Sequence, residues 1–85
     1  SGQEGTPYDE LYRQLFPFVE AMLRTDTSRL FSLLYQIDIP DSWWQRIRQE
    51  TDMDQLADRI TDAILQRELI KVLTRNYFRQ QRLKE

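Results

Sequence analysis

The sequence predicts an all-α domain, a small four-helix bundle with a long C-terminal helix as its central element. Three observations carry this. The stretch from Asp52 to Gln80, DMDQLADRITDAILQRELIKVLTRNYFRQ, contains no Gly and no Pro and opens on a cap signal. Upstream, apolar residues recur at three- and four-residue spacing in blocks separated by capping residues or proline. Two Gly and three Pro in 85 residues leave little material for tight hairpins, which counts against a β-rich fold.

Residues 1–5 (SGQEG) are polar and read as a disordered lead-in or a cloning remnant, so the single helical domain spans residues 6–85. Thr6 as N-cap, Pro7 at the first helical position, and Asp9 and Glu10 in the first turn start a helix. Its apolar stripe is Tyr8, Leu11, Tyr12, Leu15, Phe18, Val19 and Met22, widened by Phe16 and Leu23, and it ends near Arg24. Pro17 predicts a kink or break near Leu15 and Phe16, because it removes one backbone bond and crowds the carbonyl four residues back. Asp26 then caps a short helix in which six of the eight residues from Leu30 to Ile37 are apolar. That density predicts the most buried short element. The third helix runs from Pro40 to Glu50 with Trp43, Trp44 and Ile47 as its apolar residues. Trp43 and Ile47 share a face and Trp44 points about 100° away, so one tryptophan belongs to the core and the other to its margin. Asp52 with Gln55 resembles a capping box for the fourth helix. At ~1.5 Å per residue that helix is roughly 40 Å long and outreaches the other three.

The hydrophobic fraction of 40% supports a packed core and argues against intrinsic disorder. No uncharged apolar run is long enough to span a bilayer, and no basic-then-apolar N-terminal stretch marks a signal peptide. The absence of cysteine removes disulfides and thiolate chemistry and fits a cytoplasmic protein. The net charge of −2 conceals an asymmetry. Residues 1–70 carry seven basic and thirteen acidic groups, whereas residues 71–85 carry five basic groups and one acidic. A basic end on an acidic body can meet an anionic partner or the protein's own acidic surface, although the helix dipole alone also favours cations there.

Placed at 100° intervals, Met53, Leu56, Ile60, Ala63, Ile64, Ile70 and Phe78 fall on one side of the fourth helix. Leu65, Leu69, Val72 and Leu73 fall on nearly the opposite side, so the segment from Ala63 to Leu73 is apolar on two faces. Two arrangements account for this. Either the segment is the spine of the bundle, packed by helices on both sides, or one face belongs to a homodimer or a partner. The aromatic-rich helices upstream need a surface to pack on, which favours the first. Asp54, Asp58 and Asp62 form an acidic stripe along the first half and read as solvated. Arg67 and Glu68 lie within the apolar segment as a candidate buried polar pair; a buried Arg67 requires a carboxylate or carbonyl partner. Lys71, Arg75, Arg79 and Arg82 share about 80° of arc, with Tyr77 and Phe78 beside them.

Most site chemistry is missing. Without histidine or cysteine there is no usual general base and no zinc or copper site. The acidic residues lie on a helix and lack the pattern of a calcium loop, and no Gly-rich phosphate loop exists. No enzyme activity, cofactor or metal is therefore expected. Past Phe78 the only apolar side chain is Leu83, too little for a membrane-surface helix. Rings at Tyr12, Phe16, Tyr35 and Trp43 could line a ligand pocket, but core packing accounts for them more simply.

The segment RLFSLLYQIDIP (29–40), followed by AILQRELIKVLTRNYF (63–78), resembles small all-helical hypothetical proteins of Bacteroidetes bacteria. In those a similar "LLYxIDI" helix precedes a second helix whose pattern is matched here by Arg67, Glu68, Leu69, Lys71, Val72, Leu73 and Arg75. The resemblance covers about half the chain and implies a bacterial, all-helical protein, but no activity. The functional expectation rests on the residues. It is a non-enzymatic protein–protein interaction module, homodimer or adaptor, using Leu65, Leu69, Val72 and Leu73 or the basic residues Lys71, Arg75, Arg79 and Arg82. The alternative is nucleic-acid binding through that basic end, which clustered cations beside aromatic rings permit.

Overall fold

Capping residues divide the chain into four helices in the computed structural model, which describes residues 5–84, the Lys84 side chain excepted. These are α1 (Pro7–Thr25), α2 (Thr27–Gln36), α3 (Asp41–Gln49) and α4 (Met53–Lys84), with no strand among the described residues. The expected lead-in falls outside the described residues apart from Gly5. The fold is all-α with a long C-terminal helix, as predicted.

The helix starts follow the sequence signals. At α1, Thr6 and Asp9 form a reciprocal capping box: the Thr6 hydroxyl accepts from the Asp9 backbone N–H at 3.2 Å, and the Asp9 carboxylate accepts from Thr6 N–H at 3.1 Å. Asp26 caps α2 through the Arg29 N–H at 3.2 Å. Asp52 caps α4 through the Gln55 N–H at 2.9 Å. The expected return bond from Gln55 is replaced. The Asp52 N–H donates instead to the Glu50 carboxylate at 3.3 Å, and the other oxygen of Glu50 is held 2.9 Å from the Arg59 guanidinium. Arg59 also donates to the Arg46 carbonyl at 2.7 Å, so one side chain ties the last turn of α3 to α4.

Three local expectations are narrowed or corrected. Of a kink or a break at Pro17, the break does not occur: α1 runs unbroken from Pro7 to Thr25. The carbonyl that loses its partner belongs to Arg13, and both Arg13 and Pro17 are exposed, so water can take the missing bond. The expected α1 stripe is also too wide. Val19 and Leu23 are buried and Tyr8, Tyr12, Leu15, Phe16 and Met22 half-buried, but Leu11 and Phe18 stand in solvent about 90° away from that line. Nor is α2 buried all round. Leu30 and Leu34 are core, whereas Leu33 and Tyr35 are exposed, because no further layer covers its outer side.

The core joins Val19 and Leu23 of α1, Leu30 and Leu34 of α2, Ile39, Trp44 and Ile47 around α3, and Ala57, Ile60 and Ala63 of α4. Of the two tryptophans Trp44 is the buried one. It stacks with Tyr35 (4.8 Å between centroids) and Phe31 (6.1 Å), and the Arg48 guanidinium lies 5.5 Å from its ring. Thr61 is fully buried and satisfies its hydroxyl on the Ala57 carbonyl at 2.7 Å.

Only the first half of α4 belongs to this core. The buried or half-buried run is Leu56–Arg67, interrupted only at Asp58; from Glu68 onward every described side chain except Lys71 is exposed. The radius of gyration, 15.4 Å, exceeds the ~12 Å of a compact chain this long because the distal half projects. The spine is thus Leu56–Ile64, not Ala63–Leu73, and the latter is not packed on both sides.

Candidate functional site

Most apolar residues of the distal half of α4 lie on the side away from its core-facing one; Ile70 and Phe78 stay in line with the core side but are exposed. Between Leu56 and Ile64 the buried positions span about 160° of arc. Further along, the same side carries Arg67, Lys71, Arg75, Arg79 and Arg82, together with Glu68. The opposite side carries Leu65, Leu69, Val72, Leu73, Asn76, Gln80 and Leu83 within about 100°, without one charge. The two patterns cancel over the whole helix, which has almost no net amphipathicity.

This uncharged arc is bare. Leu69, Val72 and Leu73 are 45%, 44% and 59% exposed, and Leu83 is 81% exposed; Leu65, nearest the bundle, is half-buried. The arc's N-terminal continuation is the expected acidic stripe, and that stripe is not merely solvated. The Tyr12 hydroxyl donates to the Asp58 carboxylate and the Tyr8 hydroxyl to that of Asp62. Two tyrosines four apart on α1 thus meet two aspartates four apart on antiparallel α4. The matched spacing is present in the sequence, but nothing there says that the helices face each other. Desolvation by burial, followed by the hydrogen bond and charge of the facing carboxylates, pushes the Tyr12 hydroxyl up to about 12 and raises Tyr8 further. Helix α1 begins beside Asp62; beyond it, no described helix covers the arc.

Arg67 and Glu68 do not form a buried pair. They sit about 100° apart on the helix and find different partners. Arg67, with 22% of its side chain exposed, reaches Asp38 between α2 and α3 at 3.4 Å, while its Nε is buried with no partner among the described residues. Glu68 is exposed and lies 3.4 Å from Lys71. Arg75, Arg79 and Arg82 are exposed and pair with no carboxylate among the described residues. Tyr77 and Phe78 are also exposed and meet edge-to-face at 5.5 Å. The site residues therefore divide into an uncharged strip and a basic strip on adjoining faces of one projecting helix, their centres about 110° apart. Sequence reasoning missed Asn76, Gln80 and Leu83 as members of the apolar strip. Their signal was the absence of charge at those angles rather than hydrophobicity.

The rings at Tyr12, Phe16, Tyr35 and Trp43 do not share a pocket. Tyr12 stacks on Phe16 at 5.6 Å along α1, Tyr35 stacks on Trp44, and Trp43 lines a shallow cavity of about 310 Å³ with Arg46, Asp58 and Arg59. A larger open groove, about 820 Å³, lies between α1 and α2 against Phe18, Met22 and Leu33. No helix among the described residues is long and apolar enough to cross a membrane. No family model, curated protein or solved structure matches the chain.

Proposed function

We propose that this protein is a non-enzymatic protein–protein interaction module whose contact element is the distal half of α4. The observation that carries this reading is the bare uncharged strip, with Leu69, Val72 and Leu73 each more than 40% exposed on a half-helix that no other described helix covers. Fully burying such a side chain is worth about 1.5–3 kcal/mol, so a complementary groove or helix gains substantially by covering three of them. The adjoining basic strip keeps the projecting helix soluble and limits the faces on which a partner can sit.

The test is a photoreactive residue at position 73, introduced in the native host, with a control at exposed Arg13 on α1. Protein adducts at position 73 well above the control are expected. Equal yields at the two positions would sink the reading.

A second reading, nucleic-acid binding, is favoured by the exposure of Arg75, Arg79 and Arg82 beside Tyr77 and Phe78. It requires single-stranded RNA or DNA binding that weakens steeply with salt and is lost on Arg75→Glu with Arg79→Glu. The acidic remainder of the chain opposes it.

A further inference from the structure

We propose that the occupant of the uncharged strip is a second copy of this chain, with the two distal α4 segments paired antiparallel about a twofold axis near residue 74. This deepens the interaction-module reading and rests on it. The strip is self-complementary in that sense: the axis sets Leu65 of one copy against Leu83 of the other and Val72 against Asn76.

Charge selects the direction. Past Asp62, Glu68 is the only acid in α4, whereas Arg75, Arg79 and Arg82 crowd its last turns. A parallel pair would bring the two basic ends to the same level. The antiparallel pair separates the two basic ends and brings Arg79 of each copy, on the same edge of the strip as Glu68, towards Glu68 of the other.

The vacant track supplies the third argument. Helix α1 runs antiparallel to α4 and begins beside Asp62, with Asp9 and Glu10 in its first turn. A second α4 lying on the strip runs in the same sense as α1, and its basic C-terminal turn arrives at that acidic first turn. The two helix ends then meet with opposite dipole charges as well as opposite side-chain charges.

Sedimentation equilibrium of the purified full chain tests the pairing. The wild type should be dimeric, and Leu73→Asp, at a solvent-exposed position, should be monomeric with its circular dichroism retained. Glu68→Arg and Arg79→Glu should each weaken the dimer severalfold, and the double variant should recover it. Because the chain has no cysteine, single introduced thiols report direction. A mixture of Leu69→Cys and Gln80→Cys proteins should oxidise to the mixed adduct faster than Gln80→Cys forms its own; the reverse order means a parallel pair and overturns the proposal. A wild type that stays monomeric at high concentration overturns it as well. If position 73 still captures other proteins in cells, the interaction module survives with a heterologous partner. If it captures nothing, both readings fail together.

Discussion

The division of α4 into a core half and a bare half makes a quantitative prediction from two substitutions 13 residues apart on the same helix. Ile60 is fully buried, and Leu73 is 59% exposed. Truncating a large aliphatic side chain to alanine in a core costs about 2–5 kcal/mol, from lost transfer energy plus the cavity left behind. Ile60 packs between helices whose facing residues, Leu34 among them, are equally enclosed, so the site cannot collapse to fill the gap. Alanine's better helix propensity returns only about 0.4 kcal/mol. Ile60→Ala should therefore cost about 3 kcal/mol, a large share of the ~4–12 kcal/mol available to a domain this size, and lower Tm by roughly 15 °C. Leu73→Ala removes little packing within one chain and gains slightly in propensity, so its effect should stay within about 0.5 kcal/mol. Urea unfolding followed by far-UV circular dichroism measures both, at a protein concentration low enough for sedimentation to show monomer. Comparable losses in the two variants would mean that the distal half packs within its own chain, and the candidate surface would disappear.

Three further outcomes follow from the contacts of the bundle. Because Tyr8 and Tyr12 are shifted upward in the folded state, the unfolded chain loses those protons first. Their contribution is complete below pH ~10 and is lost as pH rises towards about 12, and replacing both with Phe should flatten that alkaline decline in stability and remove the late component of a tyrosinate absorbance titration. Thr6→Ala deletes the N-cap of α1 and should cost about 1 kcal/mol in thermal unfolding. Arg59→Met unties α3 from α4 and strands Glu50, whose side chain is only 16% exposed, so a loss of about 2 kcal/mol is expected by urea denaturation; Glu50→Gln in the same background should recover part of it.

Much of the fold was legible because its signals are local. Thr6, Asp26 and Asp52 cap the helices where their types and positions predict, and boundaries fall within about a residue of Pro7, Thr25, Asp41 and Met53. The misreadings concern partners rather than helices. Pro17 does not interrupt α1, and the Arg13 carbonyl that it deprives of a partner lies on an exposed face, a circumstance decided by which side α1 turns outward. Leu11, Phe18, Leu33 and Tyr35 are apolar yet exposed because four short layers cannot enclose every ring and branched chain they carry. Arg67 was expected to need an acidic partner and has one in Asp38, but that residue is 29 positions away and no periodicity links them.

The uncharged strip was legible in composition but not in its exposure. Leu65, Leu69, Val72 and Leu73 stand out by angle alone, and angle cannot say whether a neighbouring helix of the same chain covers them. What decides it is a phase change. From Leu56 to Ile64 the buried side faces α1 and α3, and for the helix to keep packing against them its apolar residues would have to stay on that side. Instead half of the side that was core becomes Lys71, Arg75, Arg79 and Arg82, beside Thr74 and Phe78, and the four cations would be desolvated at prohibitive cost if the bundle extended over them. All the distal apolar residues but Ile70, Tyr77 and Phe78 lie on the other side, at the point where α1 begins and no described helix remains to receive them. A helix meant only to complete its own domain has no use for such a switch, whereas one that must present a strip beyond the bundle needs the bundle-facing side made unattractive. Under the proposed reading, the basic strip therefore does more than solubilise the projecting end: it opposes packing of the distal half on its own bundle and leaves the uncharged side for a second helix.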